Sequence, residues 1–234
     1  RGVPMVLANA RLSERSARKA ERLQALFRPA ARSVALVLAQ TPEDAERLRA
    51  VGAPRVEVSG NIKFDMTPDA AQLALGRAWR QTIGRPVVLA ASTREGEEAA
   101  LLSAWNLMRQ HQPATLTPPC PLLLIVPRHP QRFDDVAALI AASGLTAVRR
   151  STWADAPPPE AARADVWLGD SIGEMATYYS CAQVALLGGS FEPLGGQNLI
   201  EAAACGCPVL MGPHTYNFAD AAAMALREGA AMRV

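Results

Sequence analysis

The sequence predicts an α/β fold in which parallel sheets are covered by helices on both faces, and three observations carry that expectation. Short, continuous apolar runs recur at 87–91, 122–126, 166–168, 184–187 and 209–211 of the 234 residues. Strands buried on both faces read this way, without the polar alternation of a half-exposed sheet. Segments of helical character fill the gaps at about 95–110, 132–143, 173–180, 198–205 and 219–228, and strand–helix alternation is the signature of parallel pairing. Half the residues are apolar and a fifth are charged, an ordinary globular composition with ample core material.

A weaker version of the same rhythm precedes residue 66. The run 34–39 leads into a helix over about 42–50, with Pro42 suited to its first position and Gly52 to its stop. A short strand at 56–59 then ends in SGNIKFD. The polar stretch that follows, with Pro68 and Trp79, runs to Gly84-Arg85-Pro86 and reads as a boundary. The expected organisation is the last part of one domain over 1–66, a linker over 67–85, and most of a second domain over 86–234. The opening residues RGVPMVLANA show neither an initiator Met nor a signal-like apolar core and read as the interior of a longer protein. The proline-rich stretches PATLTPPCP (113–121) and DAPPPE (155–160) read as surface loops.

Several functional classes are disfavoured early. No apolar run approaches the ~20 residues of a membrane-spanning helix. Cys120, Cys181, Cys205 and Cys207 form no CxxC pair, and His111, His129 and His214 are scattered, so reduced, packing cysteines and no metal site are expected. There is no GxxxxGK[ST] and no early GxGxxG, which disfavours a P-loop and a dinucleotide site. The net charge of +2 hides a local bias. Arg11, Arg15, Arg18, Lys19, Arg22, Arg28 and Arg32 face only Glu14 and Glu21, so this segment carries +5 and the remainder −3. Such a patch is either a solvated helix face or the footprint of an anionic partner.

In parallel sheets, ligands bind beyond the carboxyl ends of the strands, so four strand ends are the places to search. After 87–91, Ser92 and Glu95 have the spacing of a capping box, and the helix start there is also able to take an anion. After 122–126, Pro127 and Pro130 stiffen the turn that carries Arg128 and His129, and a guanidinium so placed suits a phosphate. After 166–168, Ser171 and Glu174 repeat the capping-box spacing around Ile172 and Gly173, whose backbone could read the edge of a base. After 184–187, Gly188-Gly189 and Gly195-Gly196 bracket a loop that leads through Asn198, Leu199 and Ile200 to Glu201. Glycines there permit close approach of a ligand, and Glu201, one turn into the helix, could accept both hydroxyls of a ribose.

The motifs NARLSERS, SGNIKFD, STREGEE, VPRHPQRF, GDSIGEM and GGSFEPLGGQNLIEAAACGCPVLMGPHTYNF stand in this order along nearly the whole chain. Together they resemble the 3-deoxy-D-manno-octulosonic acid (Kdo) transferases of lipopolysaccharide synthesis. The resemblance implies a GT-B architecture, two Rossmann-like domains with the active site between them. It implies inverting transfer of Kdo from CMP-Kdo to a lipid A precursor (lipid IVA) on the cytoplasmic face of the bacterial inner membrane. It places Pro127, Arg128, Ile172, Gly173, Glu174 and the stretch Asn198, Leu199, Ile200, Glu201 around CMP, with Ser92, Gly188 and Gly189 at the neighbouring strand ends. Lys63 would stabilise the transition state, and the general base, a glutamate, would lie upstream of Arg1, so the chain itself is expected to bind CMP without turnover. One leaving phosphate can be offset by Arg128, Lys63 and helix amides without a divalent cation, so no cofactor is expected. The basic segment from Arg11 to Arg32 gains a partner in a phosphorylated lipid head group at an anionic membrane; no nucleic-acid partner is implied. The alternatives are another GT-B enzyme using a UDP-sugar, either a transferase or a 2-epimerase, or a non-catalytic nucleotide-binding module.

Overall fold

A computed structural model describes residues 3–111 and 120–234, and the chain forms two compact units, Arg1–Met66 and Thr67–Val234. Most of PATLTPPCP lies outside the described residues.

The first unit is a three-stranded parallel sheet, β1 (Val6–Ala10), β2 (Leu36–Ala39) and β3 (Val56–Val58), in that spatial order. Its small core is Ala10, Val37, Ala39, Ala45, Ala53 and Val56. Between β1 and β2 lie α1 (Glu14–Arg22) and α2 (Gln24–Arg32). The Ser13 hydroxyl caps α1 by accepting the Ser16 amide, and the helix buries only Ala17 and Ala20, leaving its basic side chains outward. No residue of α2 is buried. As the sequence indicates, α3 (Pro42–Val51) starts after Thr41, whose hydroxyl accepts the Asp44 amide, and stops at Gly52. Asp44 is buried and accepts the Leu12 amide at 2.9 Å and the Arg47 guanidinium at 2.9 Å, which ties the segment after β1 to α3. Asn9, in the left-handed region at φ 53°, accepts the Ile62 amide through Oδ1 at 3.2 Å. The NARLS and GNIKFD motifs therefore meet at the carboxyl end of this sheet.

The second unit opens with α4 (Ala70–Ile83), and here the expectation of a linker over 67–85 is corrected. The Asp69 carboxylate caps the helix on the Ala71 and Gln72 amides, and Trp79 and Ile83 point into the core. The remaining elements are β4 (Val87–Thr93), α5 (Glu97–His111), β5 (Leu122–Pro127), α6 (Phe133–Ala142), β6 (Ala147–Arg149), β7 (Val166–Leu168), α7 (Met175–Cys181), β8 (Val184–Leu187), α8 (Ile200–Ala204), β9 (Val209–Met211), α9 (Ala219–Arg227) and β10 (Ala231–Arg233). The seven strands are all parallel, in the order β10-β9-β8-β4-β5-β7-β6. The five expected strands of this unit are present; β6 and β10, short edge strands, have no clear apolar run.

Two separate cores lie on the two faces of this sheet. Residues 102 and 105 of α5 and 136 and 140 of α6 pack with Ala90, Leu123, Ile125, Val166 and Leu168 on one face. On the other, α4, α7, α8 and α9 pack over Val87, Leu89, Leu124, Trp167, Leu187 and Met211. The chain is thus doubly wound: α5 leaves β4 to one face, α8 follows β8 to the opposite face, and β4 and β8 are neighbours. Between them is the topological switch point, where a parallel sheet opens a crevice beyond its carboxyl edge.

Helix α4 closes against α7 at Gly76, where a Cβ would strike the Thr177 carbonyl and the Ser180 hydroxyl. In an isolated helix Gly→Ala gains about 1 kcal/mol, but here the obstacle is backbone. Gly76→Ala should lower the stability of the second unit by at least about 2 kcal/mol, read from the urea midpoint; an unchanged or raised midpoint would show that the two helices do not pack this closely.

Candidate functional site

The four strand ends singled out in the sequence leave four adjacent strands, in the order β8, β4, β5 and β7, so their loops share one rim.

At the centre, β4 does not run straight. Its pairing with β5 slips between Ala91 and Thr93, and Ser92 takes the left-handed conformation at φ 56°. A bulge with a non-glycine residue in that region stores strain and re-aims the chain. The Ser92 carbonyl is turned against Gly188, where any Cβ would strike it, while the Gly188 amide donates to the Ala91 carbonyl at 2.9 Å. Ser92 is therefore no helix cap. Helix α5 begins at Glu97, and the side chain that reaches back to its start is Glu97, accepting the Arg94 amide at 2.9 Å; Glu95 is exposed.

The glycine pairs are also explained from within. The Gly196 amide donates to the Gly189 carbonyl at 2.7 Å, so the two pairs bond to each other. A Cβ at Gly195 would strike the Asn217 side chain, whose amide donates to the Leu194 carbonyl at 3.0 Å. The Gly189 amide is taken by the Glu97 carboxylate at 2.8 Å. At Gly188 the close approach is made by the chain itself, through the Ser92 carbonyl. Ser190, wholly buried, completes the closure: its hydroxyl donates to the Leu187 carbonyl at 2.5 Å and accepts the Gly212 amide at 2.9 Å, joining the ends of β8 and β9.

Helix α8 is shorter than the expected 198–205, running only over Ile200–Ala204. Asn198 Oδ1 accepts the Ile200 amide at 3.1 Å. Leu199 and Ile200 turn their side chains into the core, so only their backbone faces the rim. Glu201 is half-buried. Burial raises its carboxyl above the ordinary value of 4.5, and the Arg128 guanidinium partly offsets this. Arg128, at the end of β5, and Glu201, after β8, thus flank β4 within range of each other's charge. Pro127 is buried in the sheet and Arg128 is exposed, with no carboxylate at ion-pair distance among the described residues.

At β7 the sequence understated the role of arginine. The Glu174 carboxylate accepts the Ser171 hydroxyl at 2.5 Å and pairs with Arg150 Nη2 at 2.7 Å, and Tyr178 joins the same cluster through Ser171. Arg150 lies over the rings of Trp79 at 4.9 Å and Trp153 at 5.5 Å. Beside it, Arg149 donates Nε to Asp170 at 2.6 Å. Burial acts to raise the Asp170 carboxyl, but the Ser151 hydroxyl, Arg149 and the Ser151 amide outweigh it and hold the group below its ordinary 3.8. Ile172 is 79% exposed and Gly173 is exposed with φ 83°; the Gly173 carbonyl accepts Gln72 of α4 at 2.9 Å. Nothing local in the sequence marks Arg149 and Arg150 as supports of this loop.

Lys63 belongs to the first unit. It is exposed on the short 3₁₀ turn Ile62–Asp65, and its amide donates to Asn61 Oδ1 at 3.0 Å. Among the described residues no group of three His, Cys, Asp or Glu side chains is arranged to hold a metal ion, and none of the helices is long and apolar enough to cross a membrane. Burial pushes the Cys205 and Cys207 thiols up to about 11 and about 12, which keeps them as packing groups.

The second unit is therefore a doubly wound, Rossmann-like α/β unit with a polar rim at its switch point, and the comparisons with known proteins narrow this class. Residues 1–66 match the family described as 3-Deoxy-D-manno-octulosonic-acid transferase (kdotransferase). The chain is 51% identical over 232 residues to the 3-deoxy-D-manno-octulosonic acid transferase of Bordetella pertussis, covering 99% of this chain and 53% of that protein. It is 36% identical over 226 residues to the enzyme of that name from Haemophilus influenzae, covering 94% and 50%. The crystal structure of the C-terminal CMP-Kdo binding domain of WaaA from Acinetobacter baumannii matches with a TM-score of 0.62 and 30% identity, over 71% of this chain and 83% of that one. The chain belongs to the 3-deoxy-D-manno-octulosonic acid transferase family. It spans about half the length of the curated relatives it matches.

The Asp170 cluster carries a sign that can be checked. A carboxyl held low in the folded state contributes stability that is complete above its unfolded value and is lost as pH falls through the folded one. Asp170→Asn should cost about 2 kcal/mol at neutral pH, since Arg149 keeps Asp134 as a second partner at 2.7 Å. The difference from the parent should shrink below about pH 3; urea melts at the two pH values measure both.

Proposed function

We propose that the protein to which this chain belongs is an inverting glycosyltransferase of the GT-B type that moves Kdo from CMP-Kdo to a lipid A precursor (lipid IVA) in lipopolysaccharide synthesis. The second unit is the donor side. The observation that carries this assignment is the match to a domain described as CMP-Kdo binding, on a chain whose Arg128 and Glu201 follow the strands on either side of β4 and feel each other's charge. Arg128, a planar cation without a carboxylate partner among the described residues, takes the CMP phosphate and offsets the charge that grows on it as the glycosidic bond breaks. Glu201 accepts the ribose hydroxyls. The backbone of Ile172 and Gly173, held by Glu174 and Arg150 from behind and by Gln72 from the side, meets the base. Asn198 orders the turn that presents Glu201.

Gly188, Gly189, Leu199 and Ile200 act in this assignment as scaffold for the rim, and Ser92 is the strained residue at the end of β4 that shapes it. Lys63, from the first unit, steadies the leaving phosphate. With one phosphate to neutralise and two cations assigned to it, the transfer is proposed to need no metal. The protein works at the cytoplasmic face of the inner membrane. There the outward basic side chains of α1, among them Arg15, Arg18, Lys19 and Arg22 around a depression of about 510 Å³, meet anionic head groups, together with the exposed Leu26 and Phe27 of α2.

Calorimetric titration of the chain with CMP, UDP and NAD tests the donor assignment. CMP should bind, and Arg128→Ala should weaken it about tenfold or more; preference for UDP or NAD, or indifference to Arg128→Ala, overturns it. The raised Glu201 carboxyl adds a pH dependence. Cytidine, which carries no titrating phosphate, should bind less tightly as pH is lowered from about 8 to about 5, because the ionised acceptor is lost from above 4.5 downward. Glu201→Gln should bind weakly with a flat profile, and a parent profile equally flat would remove Glu201 from the ribose.

A further inference from the structure

Glu97 stands where the ends of β4 and β8 meet. Its carboxylate belongs to a residue only 8% exposed. One oxygen accepts the amides of Arg94 at 2.9 Å and Gly189 at 2.8 Å, and the other accepts the Phe191 amide at 3.4 Å. The next residue, Glu98, is wholly buried; its Oε1 accepts the Thr93 hydroxyl at 2.8 Å and pairs with Arg132 at 2.7 Å. One Glu-Glu step therefore fastens the end of β4, the turn after β5 and the turn after β8.

The Arg94 contact is an ordinary helix-start bond. The other two are not: Gly189 and Phe191 lie 92 and 94 residues away in sequence, and capping α5 gives no reason for them. Amides of neighbouring residues converging on one carboxylate form the concavity with which a loop binds an anion. Here the chain supplies the anion itself. We propose that Glu97 is a positioning residue, a built-in anion that locks the 189–191 turn and so gives the switch-point rim its nucleotide-binding shape, without touching the nucleotide. The consequence for binding rests on the CMP assignment above, whereas the lock itself does not.

Electrostatics and positioning predict opposite signs. Removing a negative charge near a phosphate site should tighten CMP binding if charge alone mattered; loss of the lock should weaken it. A cavity of about 270 Å³ adjoins the group, lined by Thr93, Glu97, Leu101, Leu186 and Phe191 among others, which leaves room for a small carboxylate to replace the missing side chain.

The experiment uses Glu97→Ala and Glu97→Gln in this chain, with amide hydrogen exchange at Gly189 and Phe191 and CMP titration, each with and without formate. In Glu97→Ala both amides should exchange about tenfold faster or more and CMP should bind about tenfold more weakly, the loss of roughly one charge-assisted hydrogen bond. Formate should reverse both effects and leave the parent unchanged. Glu97→Gln keeps the shape, and should speed exchange at those amides without lowering the melting temperature by more than a few degrees. Unchanged exchange in either variant, tighter or unaltered CMP binding by Glu97→Ala, or no response of that variant to formate overturns the proposal. If Glu97→Ala does not fold, exchange in Glu97→Gln decides. If the parent itself does not bind CMP, the donor assignment fails, and exchange with its formate rescue still decides the lock.

Discussion

Strands β4 and β8 lie side by side in the middle of the large sheet, although the helices that follow them depart to opposite faces. That divergence leaves a gap at the carboxyl edge which backbone polar groups line and which water would otherwise enter. The chain fills part of it from within: the Ser92 carbonyl is pressed on Gly188, the Glu97 carboxylate gathers the amides beyond it, and Ser190 stitches β8 to β9. Every residue of the rim is placed relative to this closure, since β5 and β7 take their register from β4. The left-handed turn at Ser92 goes with this close packing, since it sets the Ser92 carbonyl against Gly188 while the Gly188 amide bonds the Ala91 carbonyl.

The strands of the large sheet and the motifs were both legible because they depend on short-range pattern. Runs such as LLLIVP announce a strand buried on both faces, and four such runs end in motifs rich in proline, glycine or acidic residues. What was not legible depends on residues far apart in sequence. Gly188 looks like a place where a ligand approaches, but the group that approaches is the Ser92 carbonyl, and Gly195 meets Asn217. Arg150 is unremarkable in sequence and becomes the partner of Glu174 only when the 3₁₀ turn at residues 150–152 folds beside it. Helix α4 is a different sort of error. Its start and stop residues, Asp69 and Gly84, were both present, but only Gly76, Trp79 and Ile83 are buried along its 14 residues, too few to print a helical stripe.

The two arginines at the end of β6 show how one short stretch serves two purposes. Arg149 satisfies a carboxylate that is nearly inaccessible to water, so its task is to offset desolvation. Arg150 is largely buried beside the Trp79 and Trp153 rings, whose faces offset part of its lost hydration, and from that fixed position it pairs with Glu174. These supports leave Ile172 and Gly173 exposed, which is the state in which backbone can be read by a planar ligand.

Trp79, Trp153 and Trp167 form one edge-to-face cluster with centroids 5.0–6.1 Å apart, and the fourth tryptophan, Trp105, packs on the other face of the same sheet. Residues 1–66 contain neither tryptophan nor tyrosine. Ultraviolet emission from this chain is consequently a private signal of the second unit, in which the two sheet faces are sampled by different chromophores while the first unit stays dark. A loosening confined to the α4 side would alter the coupled cluster and spare Trp105, so a Trp105→Phe variant would leave emission that reports the α4 face alone.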